Sequence, residues 1–365
     1  MSKFFIRRVA AAVAASGMLL AVAGCGGGRT AEGEGGAEAG FAEDAAIGVA
    51  LPQKTSENWV LAEELFNNQL TEAGYQPTVQ FANGGVQEQQ NQIQAMITNG
   101  VEVLVVGSLD GAQLGTQVQA AKDAGITVIA YDRLILNTEN VDYYVAYDNF
   151  HVGELQGEAL LKGLEEQKGE PPYNVELIAG SPDDGNATVF FEGAMSVLQP
   201  KIDDGTLNVA SGQTTFDQVA TQGWKAENAQ KRFDTLLQAN YGTEELQGVL
   251  SPNDTLARAA LTSVKSAGKP NPVVTGQDSE KESVKLIMDG TQYSTINKDT
   301  TALVEQTVTM INSLQAGEEP EVNDTESYDN GAKVVPAYLL EPVLVTKENA
   351  KEEYENDPVL KDLVS

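Results

Sequence analysis

The chain has 365 residues, 41% of them apolar and only 6% aromatic, with a formal net charge of −30. That length suits two domains better than one, and the apolar share is enough for a core in each. So acidic a surface repels phosphate backbones and anionic lipid headgroups, which argues against nucleic acid as a partner and leaves membrane attachment to a covalent anchor.

The first 24 residues read as an export signal and not as fold. Lys3, Arg7 and Arg8 make a basic start, and Val9 to Ala23 is apolar. That run is shorter than the ~20 residues of a spanning helix. It closes on Val22-Ala23-Gly24-Cys25, an ending that resembles the bacterial lipobox. The resemblance implies cleavage before Cys25 and a lipid on that residue. The protein would then be exported and held at the outer face of the cytoplasmic membrane, or in the periplasm. The plainer alternative is an export signal with an incidental cysteine. Cys25 is the only cysteine, so the chain has no disulfide framework and no cysteine metal site. Residues 25–45, rich in Gly, Ala and Glu, are expected to form a flexible acidic tether.

From Ala46 the pattern alternates. Strands are expected at 46–52, 78–82, 101–107 and 126–132, with helices at 58–73, 86–99 and 109–124 between them. A strand over 143–147 follows. The rhythm then restarts: helices at 151–164, 189–199, 226–238 and 254–267 separate strands at 174–181, 248–251 and 272–276. Strands joined by helices of this length imply parallel sheets with right-handed crossovers. Two sets of them make an α/β protein of two doubly wound lobes. A strand at 292–297, a helix at 301–314 and an extended run at 334–346 come last, and such late segments can cross back, making a hinge of several strands. The expected division is 46–148 with about 299–330 for the first lobe, and 149–298 with about 331–365 for the second.

In open α/β sheets a ligand binds beyond the carboxyl ends of the strands. The residues in those places are Gln53 and Lys54 (with Trp59 soon after), Asp132 and Arg133, Asp148 and Asn149, Asp183, Asp184 and Asn186, Asn253 and Asp254, Gln277 and Asp278, and Lys298. Trp224, the second of two tryptophans, lies in a loop-like TQGW stretch. Carboxylate, amide and guanidinium groups pair well with hydroxyls that both donate and accept, and flat aromatic rings stack on the apolar faces of a pyranose. A neutral polyhydroxylated ligand therefore suits this set. Singly, each residue has an ordinary reading: Asp or Asn after a strand caps a helix, Asp132-Arg133 is a surface ion pair, and Trp59 is helix core. The recurrence at so many strand ends favours a site.

Catalysis is poorly supported. The single histidine, His151, has no Gly-x-Ser-x-Gly elbow beside it, and reads as a surface or hinge residue. Asp183 and Asp184 are adjacent, which does not supply the ~5–9 Å opposed carboxylates of a glycosidase. No nucleotide-binding glycine motif appears, so no cofactor is expected; no EF-hand spacing appears and no metal ligand is assigned, although the abundant acids leave a metal site open.

The motifs YDRLI (131–135), YDNFHVG (147–153), GSPDDGNA (180–187), GAMSVL (193–198), LSPND (250–254), GQDSE (276–280), YSTINKDT (293–300), PEVND (320–324) and VVPAYLLEPV (334–343) carry a specific resemblance. Together they resemble the multiple-monosaccharide-binding receptors of bacterial sugar ABC transporters, relatives of the xylose-, galactose- and ribose-binding proteins, over roughly Ile47 to Asn349. The resemblance implies the type I periplasmic-binding-protein fold, with two α/β lobes joined by three strands, a sugar in the cleft and closure on binding. It implies a monomer that hands an aldose to permease subunits, and no enzyme activity. By motif, Asp132 and Arg133 would face the sugar from the first lobe. Asn186, Asn253 and Asp278 would do so from the second, Asn149 and Lys298 at crossovers, and Trp59 and Trp224 by stacking. Lys54, after the first strand, is added to the expected contacts. Relatives often carry Arg just before the first-lobe Trp, where this chain has Asn58. The resemblance thus leaves the sugar open among xylose, glucose, galactose and arabinose. Alternatives are a sugar sensor feeding a chemoreceptor or regulatory partner, a transcriptional regulator of the same fold, or a sugar-modifying enzyme. The regulator would need a basic helix-turn-helix where the signal and tether stand.

Overall fold

Strand and helix alternate from Ala46 onward in the computed structural model, which describes residues 40–54 and 56–365. The signal, Cys25 and most of the tether lie outside the described residues. The first half runs β1 (Ala46–Leu51), α1 (Glu57–Glu72), β2 (Gln76–Phe81), α2 (Val86–Thr98), β3 (Val103–Val106), α3 (Gly115–Asp123), β4 (Thr127–Tyr131) and β5 (Tyr143–Tyr147). Then come α4 (Asn149–Gln167), β6 (Tyr173–Leu177), α5 (Gly185–Asp203), β7 (Leu207–Val209), α6 (Phe216–Val219), α7 (Ala226–Asn240), β8 (Gly248–Leu250), α8 (Asp254–Ser266), β9 (Val273–Val274), α9 (Lys281–Asp289) and β10 (Ser294–Asn297). α10 (Thr300–Gln315), β11 (Ala337–Leu340), β12 (Val343–Thr346) and α11 (Ala350–Glu353) close the chain.

The first sheet has six strands in the order β11-β5-β4-β3-β1-β2, all parallel. Its middle strand β3 (VLVV) is buried along its whole length, as a parallel strand covered on both faces must be. Trp59 and Phe66 of α1 and Leu303 and Ile311 of α10 cover one face; Ile93 and Met96 of α2 and Val118 of α3 cover the other. The second sheet is β7-β6-β8-β9, also parallel, beside an antiparallel pair of β10 and β12. The expected pair of doubly wound lobes is present. Helices α4 and α5 pack so closely that a Cβ on Gly193 would lie 2.1 Å from the Phe150 carbonyl oxygen. Only glycine allows the two backbones to approach this far.

Three passages join the lobes: after β5 at Asp148, between β10 and α10 at Lys298-Asp299, and between β11 and β12 at Glu341-Pro342. The last of these corrects the expected boundary. Residues 337–340 belong to the first lobe, not to the second. Tyr144 donates its N–H to the Pro336 carbonyl (2.9 Å) and Asp148 to that of Leu340 (3.0 Å), so β11 satisfies the open edge of β5. Pro342 has no N–H for a ladder, and the extended run 334–346 divides there into strands of two different sheets. The tether also ends earlier than expected. Phe41 packs against the first core, its ring 6.2 Å from that of Tyr75, because an aromatic side chain has an apolar face to bury. The short elements β7, α6 and α11 had no counterpart in the sequence reading, being too brief to establish a period. Helix α9 was not expected either, although Val284, Ile287 and Met288 share one face at helical spacing.

Candidate functional site

The strand ends of both lobes converge on one cavity of about 70 Å3, measured as room for water centres and several times what one water needs. Ser56, Asn58, Trp59, Tyr131, Asp132 and Arg133 line it from the first lobe, and Lys298, Thr300 and Leu303 from the passage into α10. The second lobe contributes Asp184, Asn186, Phe190, Trp224, Asn253, Thr255, Gln277 and Asp278.

The backbone aims these groups. Asp132 follows β4 with φ of 60°, Trp224 has φ of 55° and Asp278 φ of 93°, so three lining residues hold a conformation that costs a non-glycine residue energy. The Asp132 turn is secured from several sides. Its N–H donates to the Val145 carbonyl (2.8 Å), while its carbonyl accepts from the Tyr144 hydroxyl and from Asn186 Nδ2 (both 2.7 Å). Asp184 and Asn253 are N-caps of α5 and α8, accepting from Asn186 N–H (3.0 Å) and Leu256 N–H (2.9 Å). The capping and site readings of these residues are therefore both true. Capping places a side chain at the N-terminal rim of a helix, and here that rim is the cavity wall.

Asp184 is the junction. Its Oδ2 lies 2.9 Å from Arg133 Nε of the other lobe and accepts from Trp224 Nε1 at 3.0 Å. The Arg133 guanidinium in turn stands 5.3 Å from the Trp59 ring. A Cβ on Gly180 would be 2.1 Å from the Trp224 ring, so the glycine at the end of the strand region makes the room in which the tryptophan sits. Trp59 meets Tyr131 edge to face, 6.1 Å between centroids. Lys298 Nζ is shared between Asp278 (3.5 Å) and Asp132 (3.8 Å), and lies 5.4 Å from the Phe190 ring.

Three carboxylates thus face two cations. Burial raises the Asp184 pKa above its ordinary value against the opposing pull of Arg133, with Asp132 adding to the rise. Burial works against the charge of Lys298 too, but Asp132, Asp278 and Asp184 outweigh it and its pKa is raised. Every charge is partnered, and the cavity wall is a dense set of donors and acceptors between aromatic rings. Among the described residues, no group of three or more His, Cys, Asp or Glu side chains is arranged to hold a metal ion.

Of the ten expected contact residues, Trp59, Asp132, Arg133, Asn186, Trp224, Asn253, Asp278 and Lys298 line this cavity. Two do not. Lys54 points elsewhere: its Nζ is 2.7 Å from Glu63 Oε2 and 4.5 Å from the Phe81 ring, and its side chain is 44% exposed. The half-buried partner Glu63 captures a long flexible side chain that sequence position alone brought near the cleft. Asn149 is 1% exposed and lies behind the cavity wall. Its Nδ2 donates to the Tyr144 hydroxyl (3.2 Å), the same hydroxyl that braces the Asp132 turn. As the first residue of α4, its side chain turns inward to a hydroxyl of the sheet. His151 pairs with Glu154 at 3.2 Å, apart from the cavity.

Sequence reasoning passed over several lining residues. Asp184 and Gln277 stood among the strand-end polar groups but gave way to their neighbours Asn186 and Asp278. Phe190 had a signal in helix geometry, four residues after Asn186 and hence on the same face of α5. Ser56, Thr300 and Leu303 had none.

Comparison with known proteins decides the family: residues 47–319 match the model of a periplasmic binding protein domain. The chain belongs to the periplasmic-binding-protein family. Periplasmic binding proteins of this group are receptors and not enzymes, and the two lobes are their type I fold. The chain is 48% identical over 313 residues to the multiple sugar-binding periplasmic receptor of Rhizobium radiobacter, covering 84% of this chain and 88% of that one. With the D-xylose-binding periplasmic protein of Escherichia coli the identity is 36% over 325 residues, 89% of this chain and 92% of that one. A solved ABC transporter solute-binding protein from Clostridium phytofermentans, with bound β-D-glucose, superposes with a TM-score of 0.84 at 41% identity, covering 88% of this chain and all of that one. This binding protein therefore shares its whole two-lobed body with sugar receptors.

Proposed function

We propose that this protein captures a neutral aldose monosaccharide of the xylose, glucose, galactose or arabinose class and delivers it, as a monomer, to the permease of an ABC transporter. The observation that carries this reading is the inter-lobe junction at Asp184. It gathers Arg133 from one lobe and Trp224 from the other around a cavity of small-molecule size. Similarity to receptors whose names specify sugars supports the ligand class. The proposed contacts are Trp59, Asp132, Arg133, Asn186, Trp224, Asn253, Asp278 and Lys298, joined by Asp184 and Gln277. A ligand touching both lobes favours the closed arrangement by its differential affinity for it. The Val22-Ala23-Gly24-Cys25 ending, which resembles a lipobox, supports an exported receptor tethered to the membrane by lipid, where a permease is within reach. Calorimetry with D-glucose, D-xylose, D-galactose and L-arabinose tests the assignment. Saturable heat with at least one aldose is expected, and neither heat nor a shift in melting temperature at millimolar sugar would end it.

A further inference from the structure

The turn that supplies Asp278 to the cavity is unusual in its backbone. Asp278 and Ser279 are consecutive non-glycine residues with φ of 93° and 52°. Such a pair persists only when its surroundings over-determine it. Part of the hold is local: Asp278 N–H donates to the Ile296 carbonyl (2.9 Å), Ser279 N–H to Thr295 Oγ1 (3.2 Å) and Glu280 N–H to Asp254 Oδ2 (2.9 Å).

The rest comes from the far end of the chain. The Tyr354 hydroxyl is 2.7 Å from Ser279 Oγ, Ser279 Oγ donates to Asn297 Oδ1 (3.2 Å), and Asn297 Nδ2 donates to Glu353 Oε1 (2.9 Å). A serine hydroxyl has one proton. Since it goes to Asn297, Tyr354 must be the donor to Ser279. The directions then close a ring: Tyr354 to Ser279, Ser279 to Asn297, Asn297 to Glu353, and Glu353 adjoins Tyr354. Tyr354 is buried among Val284, Val345, Leu360 and Val364, which ties the ring to the C-terminal segment. Ser279 is the neighbour of Asp278, and Asn297 is the neighbour of Lys298. The ring therefore clamps the residue beside each partner of the 3.5 Å Asp278–Lys298 ion pair.

We propose that Glu353 and Tyr354, outside the cavity, are positioning residues that set the geometry of the Asp278–Lys298 pair and through it the affinity for ligand. The affinity half of this statement rests on the sugar-receptor reading; the positioning half does not.

The test uses Tyr354→Phe, which removes the donor and keeps the ring, and Leu360→Ala, which loosens the same apolar cluster without touching the polar ring. Amide hydrogen exchange on the ligand-free protein reads the turn directly. Exchange of the Asp278–Glu280 amides is expected to quicken about fivefold in Tyr354→Phe, the factor that loss of a hydrogen bond worth about 1 kcal/mol gives. Calorimetry with D-glucose, or D-xylose if that binds better, should show Kd weakened by about the same factor. Leu360→Ala should lower the melting temperature while leaving both readings near wild type. Wild-type exchange in Tyr354→Phe overturns the proposal, as does an equal acceleration at these amides in Leu360→Ala. Faster exchange with an unchanged Kd overturns its affinity half. A wild type that binds neither sugar refutes the receptor reading, and exchange still decides the positioning claim. Should Tyr354→Phe fail to fold, Glu353→Ala breaks the ring from its half-buried side.

Discussion

Replacing Asp184 with asparagine probes the junction between the lobes. The side chain is 4% exposed and that of its partner Arg133 11%, so solvent screens their 2.9 Å contact little. An amide keeps the shape but removes the charge. It also offers only one acceptor oxygen, where the carboxylate takes Arg133 Nε and Trp224 Nε1 on Oδ2 and Asn186 N–H on Oδ1. Removing one partner of a buried ion pair typically costs about 3–5 kcal/mol. Here two effects reduce that. Arg133 keeps the Ser108 carbonyl at 3.3 Å and the Trp59 ring, and the asparagine no longer bears the burial penalty that raises the carboxyl pKa. About 2–3 kcal/mol remains, and because the contact spans the lobes it falls on the closed, ligand-holding arrangement. Kd for the preferred aldose should therefore rise about 30- to 150-fold by calorimetry at neutral pH. Lowering the pH through the raised Asp184 pKa makes the wild type resemble the variant, so the gap should begin to close while the pH is still above the ordinary aspartate value of 3.8. A Kd within about threefold of wild type would refute the assignment of Asp184 as the junction, since that is under 0.7 kcal/mol.

Gly180→Ala places a methyl 2.1 Å from the Trp224 ring and 2.8 Å from the Ala187 side chain. Overpacking of about 1–3 kcal/mol should push the indole from Asp184, weakening sugar binding and shifting tryptophan emission; unchanged affinity and emission would sink this account. Lys298 carries a raised pKa, so its charge stabilises the fold fully below the ordinary value of 10.5, and the contribution is lost only as pH climbs through the higher folded value. The lead of the wild type over Lys298→Met in urea unfolding should hold constant from about pH 7 to 9 and shrink above 10.5, and a lead that vanished near neutrality would contradict the sign. Lys54→Ala should leave Kd within about twofold, since an exposed ion pair such as Lys54–Glu63 is worth at most about 1 kcal/mol and lies off the cavity; a tenfold loss would return Lys54 to the site.

How far the sequence carried this reading depends on which interactions are local. The spacing of apolar residues is set by helix and strand periods, so the alternation from Ala46 to Gln315 and the two doubly wound lobes were legible in it. Ligand residues cluster at strand ends for a topological reason, and that rule alone brought nine of the lining side chains into view, Asp184 and Gln277 among them. It could not say which way a side chain turns. Lys54 and Trp59 follow the same strand, yet one reaches Glu63 outside and the other the cavity. Asn149 and Asn186 are both early residues of long helices, yet only the second lines the cavity.

The sequence by itself determined the class of fold, the hydrogen-bonding chemistry of strand ends rich in carboxylates and amides, and the family. Tertiary structure alone decided that Asp184 joins the lobes, that β11 completes the first sheet, and that Tyr354 reaches Ser279 across 75 positions of the chain. The reason is physical. Periodicity is a property of neighbours along the chain, whereas these contacts form where three separate passages between lobes bring distant segments together, and no local pattern records where such passages end.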